Sequence, residues 1–348
     1  MPESTRLLAV VCVVFFTVGM SQGAIGPALP DLARQTGSNL VAAGGSLTAI
    51  YLFALVGQTG AGLLIKRLGY RAIFLAGMTA FVIGTSGIAA STSLTILLSS
   101  AGCLGLSVGM VLLTGNVVAA EASVSAGPLN LVNAVFGVGA ILAPALVSAS
   151  MVTFGTGVLA IWTIPCVMAG AACLLLFWMP RPSTPQAPDG SGAPAGRRRL
   201  RSVAGSPTVW IMGIFMIGYM AQEVGISAWL PTILNRAMEM PLSLGAIAAS
   251  LFWLLMTLAR FGAVWVSRYA GPHAILRHCI RLCILGGALL LAGSVTGHQA
   301  LGWLAVTALG VALGPILPTM LSIARTAFPD EAGMVTGMVI GIANIGGA

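Results

Sequence analysis

Charged residues are scarce in this 348-residue chain: they make up 7% of the sequence, against about 25% in a soluble globular domain. Only eight residues are acidic, and lysine occurs once, at Lys66. So little charge cannot cover the surface of a soluble protein of this length. The hydrophobic share of 57% and the mean hydropathy of +1.00 instead predict a membrane protein.

Metal and nucleotide motifs are also missing from the sequence. The six cysteines lie in apolar runs or at their ends, without the Cys/His spacing of a zinc site, so we expect no metal and no cofactor. No Walker lysine motif occurs, which argues against an ATP-driven pump. The first apolar run continues to about Pro30 without a clear small-residue cleavage site, which predicts a retained span rather than a signal peptide.

Apolar runs of about 20 residues dominate what remains, and they predict an all-α polytopic membrane protein. An eleventh run begins near residue 332 and is cut by the chain end. The ten complete predicted spans lie near residues 6–30, 40–65, 72–91, 95–120, 128–152, 157–179, 208–234, 243–268, 274–296 and 299–322.

The basic residues are distributed unevenly between the two ends of these spans. With the N-terminus inside, thirteen Lys and Arg residues lie in cytoplasmic segments and two, Arg34 and Arg236, lie outside. This positive-inside pattern predicts a cytoplasmic N-terminus, and we expect the inner (plasma) membrane of a bacterium. It also accounts for the net charge of +8 without nucleic acid as a partner.

The chain divides into two apolar halves, 1–179 and 208–348. The segment 180–207 between them is rich in Pro, Gly and Ser and carries an Arg cluster, which predicts a disordered cytoplasmic linker. The halves resemble each other, because FFTVGMSQG (15–23) aligns with FMIGYMAQE (215–223), and LGLSVG (104–109) with LGVALG (309–314). Two repeated six-helix halves predict a secondary transporter. The same alignment ends the chain inside the eleventh helix, so we expect a C-terminal truncation, with about 10.5 of 12 helices.

The segment GLLIKRLGYR (62–71) resembles the loop signature of the major facilitator superfamily. Gly62, Arg67, Gly69 and Arg71 match that signature, whereas Lys66 stands where the family has an acidic residue. The resemblance implies a major facilitator fold in which Gly62 lets helices two and eleven pack closely. It also implies charge pairs that hold the cytoplasmic face, and these are in doubt without the acidic residue.

Three further segments, 128–144, 223–234 and 310–324, resemble the branch of this superfamily that includes the fucose and glucose permeases. In the first of them, Asn133 stands where that branch often has histidine. The resemblance implies a sugar–proton symporter, with a sugar or sugar-like solute as substrate. We expect such a protein to be a monomer.

Polar and aromatic side chains are expected to meet at the middle of the membrane. At 1.5 Å per residue, Glu223 lies about 22 Å into the seventh span, and several other side chains come to a similar depth. Amide groups can bind hydroxyls, and aromatic faces suit the apolar face of a sugar ring. The residues predicted to bind substrate around Glu223 are Gln22, Tyr51, Tyr219, Gln222 and Trp253.

Glu223 is the only acidic residue within a predicted span. An ionised carboxylate there costs at least about 2.5–3.5 kcal/mol, so a proton can be taken up and released at this position. The sequence therefore makes Glu223 the candidate for proton coupling. The alternative is a permanently protonated carboxyl that makes a structural hydrogen bond between helices.

Arg260 lies well inside the predicted span 243–268. At 1.5 Å per residue along the two helices, the depths of Arg260 and Glu223 in the membrane differ by about 9 Å, so no ion pair between them is expected. The prediction is a role at a cytoplasmic gate or contact with lipid headgroups, with anion binding as the alternative. Asn133 lies at a similar inner depth to Asn116 and Asn130, which predicts a polar layer or gate on the cytoplasmic side, with ordinary helix packing as the alternative.

These observations predict a secondary active transporter that moves a small solute by alternating access with protons, in contact with membrane lipid. The alternative within the same fold is a proton-coupled exporter of a hydrophobic or drug-like compound. Other classes left open are a channel, a non-transporting truncated protein, and an intramembrane serine protease suggested by GTSG (84–87) with His298. We expect the protein not to be an enzyme.

Overall fold

A computed structural model describes residues 3–121, 127–178, 203–329 and 331–347 of the chain. These residues are almost entirely helical, and no strand occurs among them. In the first half the helices are α1 (Glu3–Gln35), α2 (Leu40–Ala89), α3 (Leu94–Glu121), α4 (Gly127–Phe154), α5 (Val158–Ile161) and α6 (Thr163–Trp178). In the second half they are α7 (Pro207–Met238), α8 (Leu242–Val266), α9 (Pro272–Thr296), α10 (Gln299–Leu313), α11 (Ile316–Ala327) and α12 (Ala332–Ala343), followed by a 3-10 turn (Asn344–Gly347).

Nine helical segments in the described ranges are long and apolar enough to cross a membrane, and two shorter ones, Val158–Leu174 and Val335–Gly347, are also apolar. They follow the predicted spans closely, so the all-α polytopic class is confirmed. The main differences are at the ends of α1, α7 and α11, which continue to Gln35, Met238 and Ala327, beyond the predicted ends near residues 30, 234 and 322.

Two spans are interrupted where the sequence offers a backbone reason. The long helix α2 contains two spans, and Gly69 between them has φ 76° and ψ 156°, a conformation that glycine adopts without steric cost. The tenth span breaks between Leu313 and Ile316, at Gly314–Pro315, because proline lacks the N–H that the helix needs.

The buried apolar residues form two clusters, one for each half of the chain. The first cluster takes its members from residues 10–171, and the second from residues 203–343 together with Ala140 of α4. Helices α1 and α4 contact α7 and α8 across the boundary between the clusters. The space enclosed between the halves at this boundary holds the candidate site.

Spaced glycines bring several helix pairs into backbone contact. A Cβ on Gly19 would lie 2.0 Å from the carbonyl oxygen of Phe136, and one on Gly109 would lie 2.1 Å from that of Ala54. The pair at 310/314 is in similar contact with α8. Gly337 and Gly341 of α12 have the same spacing but no such neighbour within 4 Å, although α12 packs on α7.

Most of the predicted disordered linker, 180–207, lies outside the described residues. Its last part is described and is ordered, which corrects the prediction for residues 203–207. Val203 is buried in the core of the second half, and the indole N–H of Trp210 donates a hydrogen bond of 2.8 Å to the carbonyl of Ala204. These contacts hold the chain against the start of α7.

Asp31 lies within the extended end of α1, so Glu223 is not the only acidic residue in a spanning helix. Its side chain is buried and accepts a hydrogen bond of 2.6 Å from the backbone N–H of Gly157, just before α5, while Arg34 pairs with its other oxygen. The carboxylate thus satisfies a free N–H at the start of the next helix, as an N-cap residue does.

We expect Asp31→Ala to lower stability by about 1–3 kcal/mol, because the buried N–H of Gly157 would lose its acceptor. Asp31→Asn keeps an acceptor oxygen and loses mainly the pair with the exposed Arg34, so its effect should be below about 1 kcal/mol. Thermal unfolding of the two variants in detergent checks this ordering. Equal melting temperatures for both variants would show that the charge pair, and not the Gly157 bond, matters.

Candidate functional site

A cavity of about 170 Å³ lies between the two halves of the bundle. Its walls come from α1, α2, α3 and α4 of the first half and from α7, α8 and the final 3-10 turn of the second. Apolar side chains form most of the wall, including those of Leu112, Met220 and Val224. The polar and aromatic residues that line the cavity are Gln22, Tyr51, Gln58, Phe136, Glu223, Ser227, Trp253 and Asn344.

On the side of the first half, Gln22 and Tyr51 are joined directly. The phenol of Tyr51 donates a hydrogen bond of 2.5 Å to the side-chain oxygen of Gln22. Gln22 lies on α1 and Tyr51 on the first part of α2, so the bond also ties these two helices together at the cavity. The amide nitrogen of Gln22 stays available to a ligand as a donor.

On the side of the second half, Glu223 is held by two neighbours. The phenol of Tyr219, one turn earlier on α7, donates a hydrogen bond to Oε2 of Glu223. The guanidinium Nη2 of Arg260 on α8 lies 3.8 Å from the same oxygen and 3.5 Å from the phenol oxygen. Only 13% of the Glu223 side chain is exposed, so its carboxylate is stabilised by these two groups in place of water.

The ion pair between Arg260 and Glu223 corrects the sequence-based depth comparison, which was wrong. Because α7 continues to Met238, Glu223 lies about 22 Å from the end of that helix, while Arg260 lies about 27 Å along α8 from Leu242. The remaining difference in depth is small enough for the long arginine side chain to bridge. Arg260 therefore belongs to the site itself.

Trp253 forms the aromatic wall of the cavity and is held in place by two rings. Phe136 and Phe252 both meet it edge to face, with centroid distances of 6.4 and 5.9 Å. Its indole Nε1 is buried and has no hydrogen-bond partner within the described ranges. Since a buried donor is normally paired, this N–H is a candidate to bind an acceptor on a ligand.

Gln222 and Tyr219 both lie outside the cavity lining, which corrects their assignment to the predicted set. Both line a separate pocket of about 410 Å³ with Ile280 and Ile316. The residues of α7 that line the cavity are Met220, Glu223, Val224 and Ser227, and Gln222 points about 100° away from Glu223, toward the other pocket. The repeat alignment matched Gln22 with Gln222, whereas Glu223 faces the same cavity as Gln22.

Sequence reasoning missed four of the polar and aromatic residues that line the cavity: Gln58, Phe136, Ser227 and Asn344. The side-chain amide of Asn344 donates a hydrogen bond of 3.0 Å to the oxygen of Gln58, which joins the two halves at the cavity wall. Phe136 supports Trp253 from α4. A polar residue such as Gln58 in the middle of an apolar span was a signal for this site, but Phe136 offered none because aromatic residues are common in spans.

The residues assigned by the family signature lie away from the cavity. Arg67 is exposed and Arg71 is half-buried, and the side chain of Lys66 lies outside the described set. Gly62 is exposed, and a Cβ on it would meet only Leu113 of α3, at 3.6 Å. The expected close packing of the second and eleventh spans at Gly62 is therefore not seen; α2 meets the final turn at Tyr51 and Gln58, nearer its middle.

Asn133 is exposed on α4 and does not line the cavity. Asn133 is about one turn before Phe136 on the same helix, but only Phe136 lines the cavity wall. The assignment of Asn133 to a gate stays a prediction.

A two-part bundle of apolar helices around a central, mostly apolar cavity with a buried carboxylate is the architecture of a multi-pass solute carrier. Comparison with known proteins agrees. The sequence profile of the Major Facilitator Superfamily matches residues 11–348. The chain belongs to this superfamily of transporters and is an integral multi-pass membrane protein.

Individual relatives are distant. The chain is 24% identical over 354 residues to the multidrug resistance protein D of Escherichia coli (strain K12), with 97% of this chain and 86% of the relative covered. Its fold is similar to the crystal structure of the nucleoside transporter NupG (TM-score 0.78, 16% identity, 100% of this chain and 88% of that one). It is also similar to a bacterial homologue of the lysosomal transporter Spinster (TM-score 0.79, 14% identity, 100% and 80% covered). The placement in the fucose and glucose permease branch stays a prediction.

Proposed function

We propose that this protein is a secondary active transporter that moves a small solute by alternating access and couples the movement to protons at Glu223. The observation that carries the proposal is the placement of a mostly buried carboxylate, paired with Tyr219 and Arg260, in the wall of the cavity between the halves. Protonation of Glu223 would remove its charge and weaken its attraction for Arg260. Substrate binding and proton binding can thus act on the same contacts between α7 and α8.

The packing between the halves supports a rocking movement. We call the bundle end with Arg67, Arg268 and Arg325 the basic face and the other end the opposite face. Toward the opposite face, Gly26 of α1 packs against the backbone of Ala228, and Gly44 of α2 packs against the ring of Trp229. Toward the middle, the Gln58–Asn344 bond is a single polar link that can break and re-form. Alternating closure at the two faces would expose the cavity to each side in turn.

The cavity supports a solute smaller than most drugs. Its volume of about 170 Å³ is below the range of about 300–1,000 Å³ for sites that hold drug-sized ligands. The Gln22 amide and the Trp253 N–H offer hydrogen bonds to hydroxyl groups, and the Trp253 ring offers an apolar face. These groups suit a monosaccharide or a molecule of similar size and polarity.

Export of a hydrophobic compound in exchange for protons is the second candidate. Two observations favour it: apolar side chains form most of the cavity wall, and the relative with 24% identity is a multidrug resistance protein. The two candidates differ in the direction in which the proton moves relative to the solute, which can be measured.

The remaining assignments follow the same proposal. The described arginines lie mostly at the basic face, so we infer that this face and the N-terminus are cytoplasmic, in a bacterial inner membrane. We further propose two halves, 1–179 and 208–348, joined by a cytoplasmic linker, and a monomeric carrier.

The test uses the purified protein in liposomes that contain a pH-sensitive dye. Labelled monosaccharides, nucleosides and the hydrophobic cation ethidium are added outside, one at a time. We expect at least one solute to be exchanged in counterflow, which a carrier shows and a channel does not. Proton symport will acidify the lumen as the solute enters, and proton exchange will make it more alkaline. Net uptake of the solute into empty liposomes without any change of internal pH would refute proton coupling.

A further inference from the structure

A second large pocket, distinct from the central cavity, opens in the second half of the chain. Its volume is about 580 Å³, and its walls come from the end of α8, the start of α9 and the middle of α11. The connection between α8 and α9, including Arg268 and Gly271, lies at its edge. The basic face of the bundle therefore has a cavity large enough for a polar group with its attached chain.

The lining of this pocket is positively charged. The guanidinium groups of Arg260 and Arg268 line it together with the hydroxyls of Ser267, Thr319 and Ser322, and no carboxylate is among the described lining residues. Helix α9 begins at the wall with Gly271 as its N-cap and without a side-chain cap, so its positive end adds to the field. Such a set of donors favours an anion.

Arg260 shows that a hydrogen-bond acceptor is missing at this wall. Its Nη2 lies near Glu223 and Tyr219, but its Nε is buried and has no partner within the described ranges. Buried donors are paired in the great majority of structures. Arg260 thus pairs with Glu223 through Nη2 and also lines the second pocket, while its buried Nε has no acceptor among the described residues.

The rim of the pocket carries the aromatic signature of a membrane interface. Tyr269 lines the pocket and is 76% exposed, and Trp265, one turn earlier, is 61% exposed. Their rings meet edge to face at a centroid distance of 5.2 Å. Exposed Trp and Tyr residues are enriched at the headgroup level of the bilayer, so the mouth of the pocket lies where phosphate headgroups are found.

We propose that this pocket binds a phosphate group, held by Arg260 and Arg268 and by the hydroxyls of α11. A guanidinium binds phosphate through two parallel hydrogen bonds, and serine and threonine hydroxyls donate to the remaining oxygens. The phosphate belongs either to an anionic lipid headgroup or to a phosphate ion from the water phase. The pocket is distinct from the central cavity, although it shares Arg260 with the site around Glu223. Its existence does not depend on the proposed transport function.

The experiment measures binding to the full chain purified in a neutral detergent. Native mass spectrometry measures the binding of dioleoyl phosphatidylglycerol, with dioleoyl phosphatidylcholine as the zwitterionic comparison. The binding of inorganic phosphate is measured by the shift that it causes in the thermal unfolding temperature. We expect saturable binding of one of the two phosphate sources. Arg268→Gln should weaken it about tenfold, because one charge-assisted contact is lost. Ser322→Ala, which leaves the charge unchanged, should weaken it about threefold.

Arg277→Gln is the matched control, because Arg277 is exposed on α9 and does not line the pocket. It removes the same charge near the same face and should change affinity by less than about twofold. Saturable binding of phosphatidylglycerol assigns the site to the bilayer, and binding of inorganic phosphate alone assigns it to a soluble ion. Equal losses in the Arg268 and Arg277 variants, or no saturable binding of either phosphate source, would overturn the proposal.

Discussion

Glu223→Gln is expected to abolish accumulation of solute against its concentration while leaving counterflow intact. The amide keeps the shape of the side chain and can still accept from Tyr219, so the cavity should remain formed. It cannot bind and release a proton, however, and it has no charge to attract Arg260. In liposomes with a pH difference of one unit, one proton supplies about 1.4 kcal/mol, enough for about tenfold accumulation. The variant should reach equal concentrations on both sides.

Glu239→Gln is the matched control for this experiment. Glu239 is an exposed carboxylate that follows the end of α7, about 24 Å along the helix from Glu223. The same change there should leave accumulation as in the wild type. If Glu223→Gln still accumulates solute in response to the pH difference, Glu223 does not carry the proton and its bond with Tyr219 is structural. If the variant loses counterflow as well, Glu223 is needed to bind the solute.

The fold was predictable from the sequence because a backbone that crosses the lipid in a single apolar segment must form a helix. Every backbone N–H and C=O in the bilayer must be satisfied within the helix, so apolar length alone indicates where each span lies. The helix ends were less predictable. Helix α1 continues through Asp31 because that carboxylate finds its partner in the backbone of Gly157, a contact from more than a hundred residues away. No local pattern carries that information.

The candidate site was predictable only in part. The depth of a residue along a helix does not tell in which direction around the helix its side chain points, or how far that side chain reaches. Depth brought Gln22, Tyr51, Trp253 and Glu223 to one level, and the structure places all four around one cavity. Rotation about α7 excludes Gln222, and the reach of Arg260 brings it to Glu223. Gln58 and Asn344 come together only when the two halves are assembled.

Contacts at the crossing of α1 and α4 lead to the largest expected effect on stability. A Cβ on Gly19 would lie 2.0 Å from the carbonyl oxygen of Phe136, and one on Gly139 would lie 2.1 Å from that of Phe16. Real Cβ atoms essentially never come closer than 3.0 Å to such atoms, so Gly19→Ala must push the two helices apart by about 1 Å. We expect a loss of about 3 kcal/mol or more, at the upper end for overpacked cores.

Gly225→Ala is the same chemical change as Gly19→Ala, but we expect it to raise stability rather than lower it. Gly225 lies inside α7, and a Cβ on it would have no neighbour within 4 Å, so alanine should stabilise the helix by about 0.5–1 kcal/mol. Thermal unfolding and the yield of monodisperse protein in detergent measure both variants. A similar melting temperature for the two would mean that α1 and α4 are not in backbone contact. Because Phe136 on α4 supports Trp253, displacement at Gly19 should also weaken solute binding, whereas Gly225→Ala should leave it unchanged.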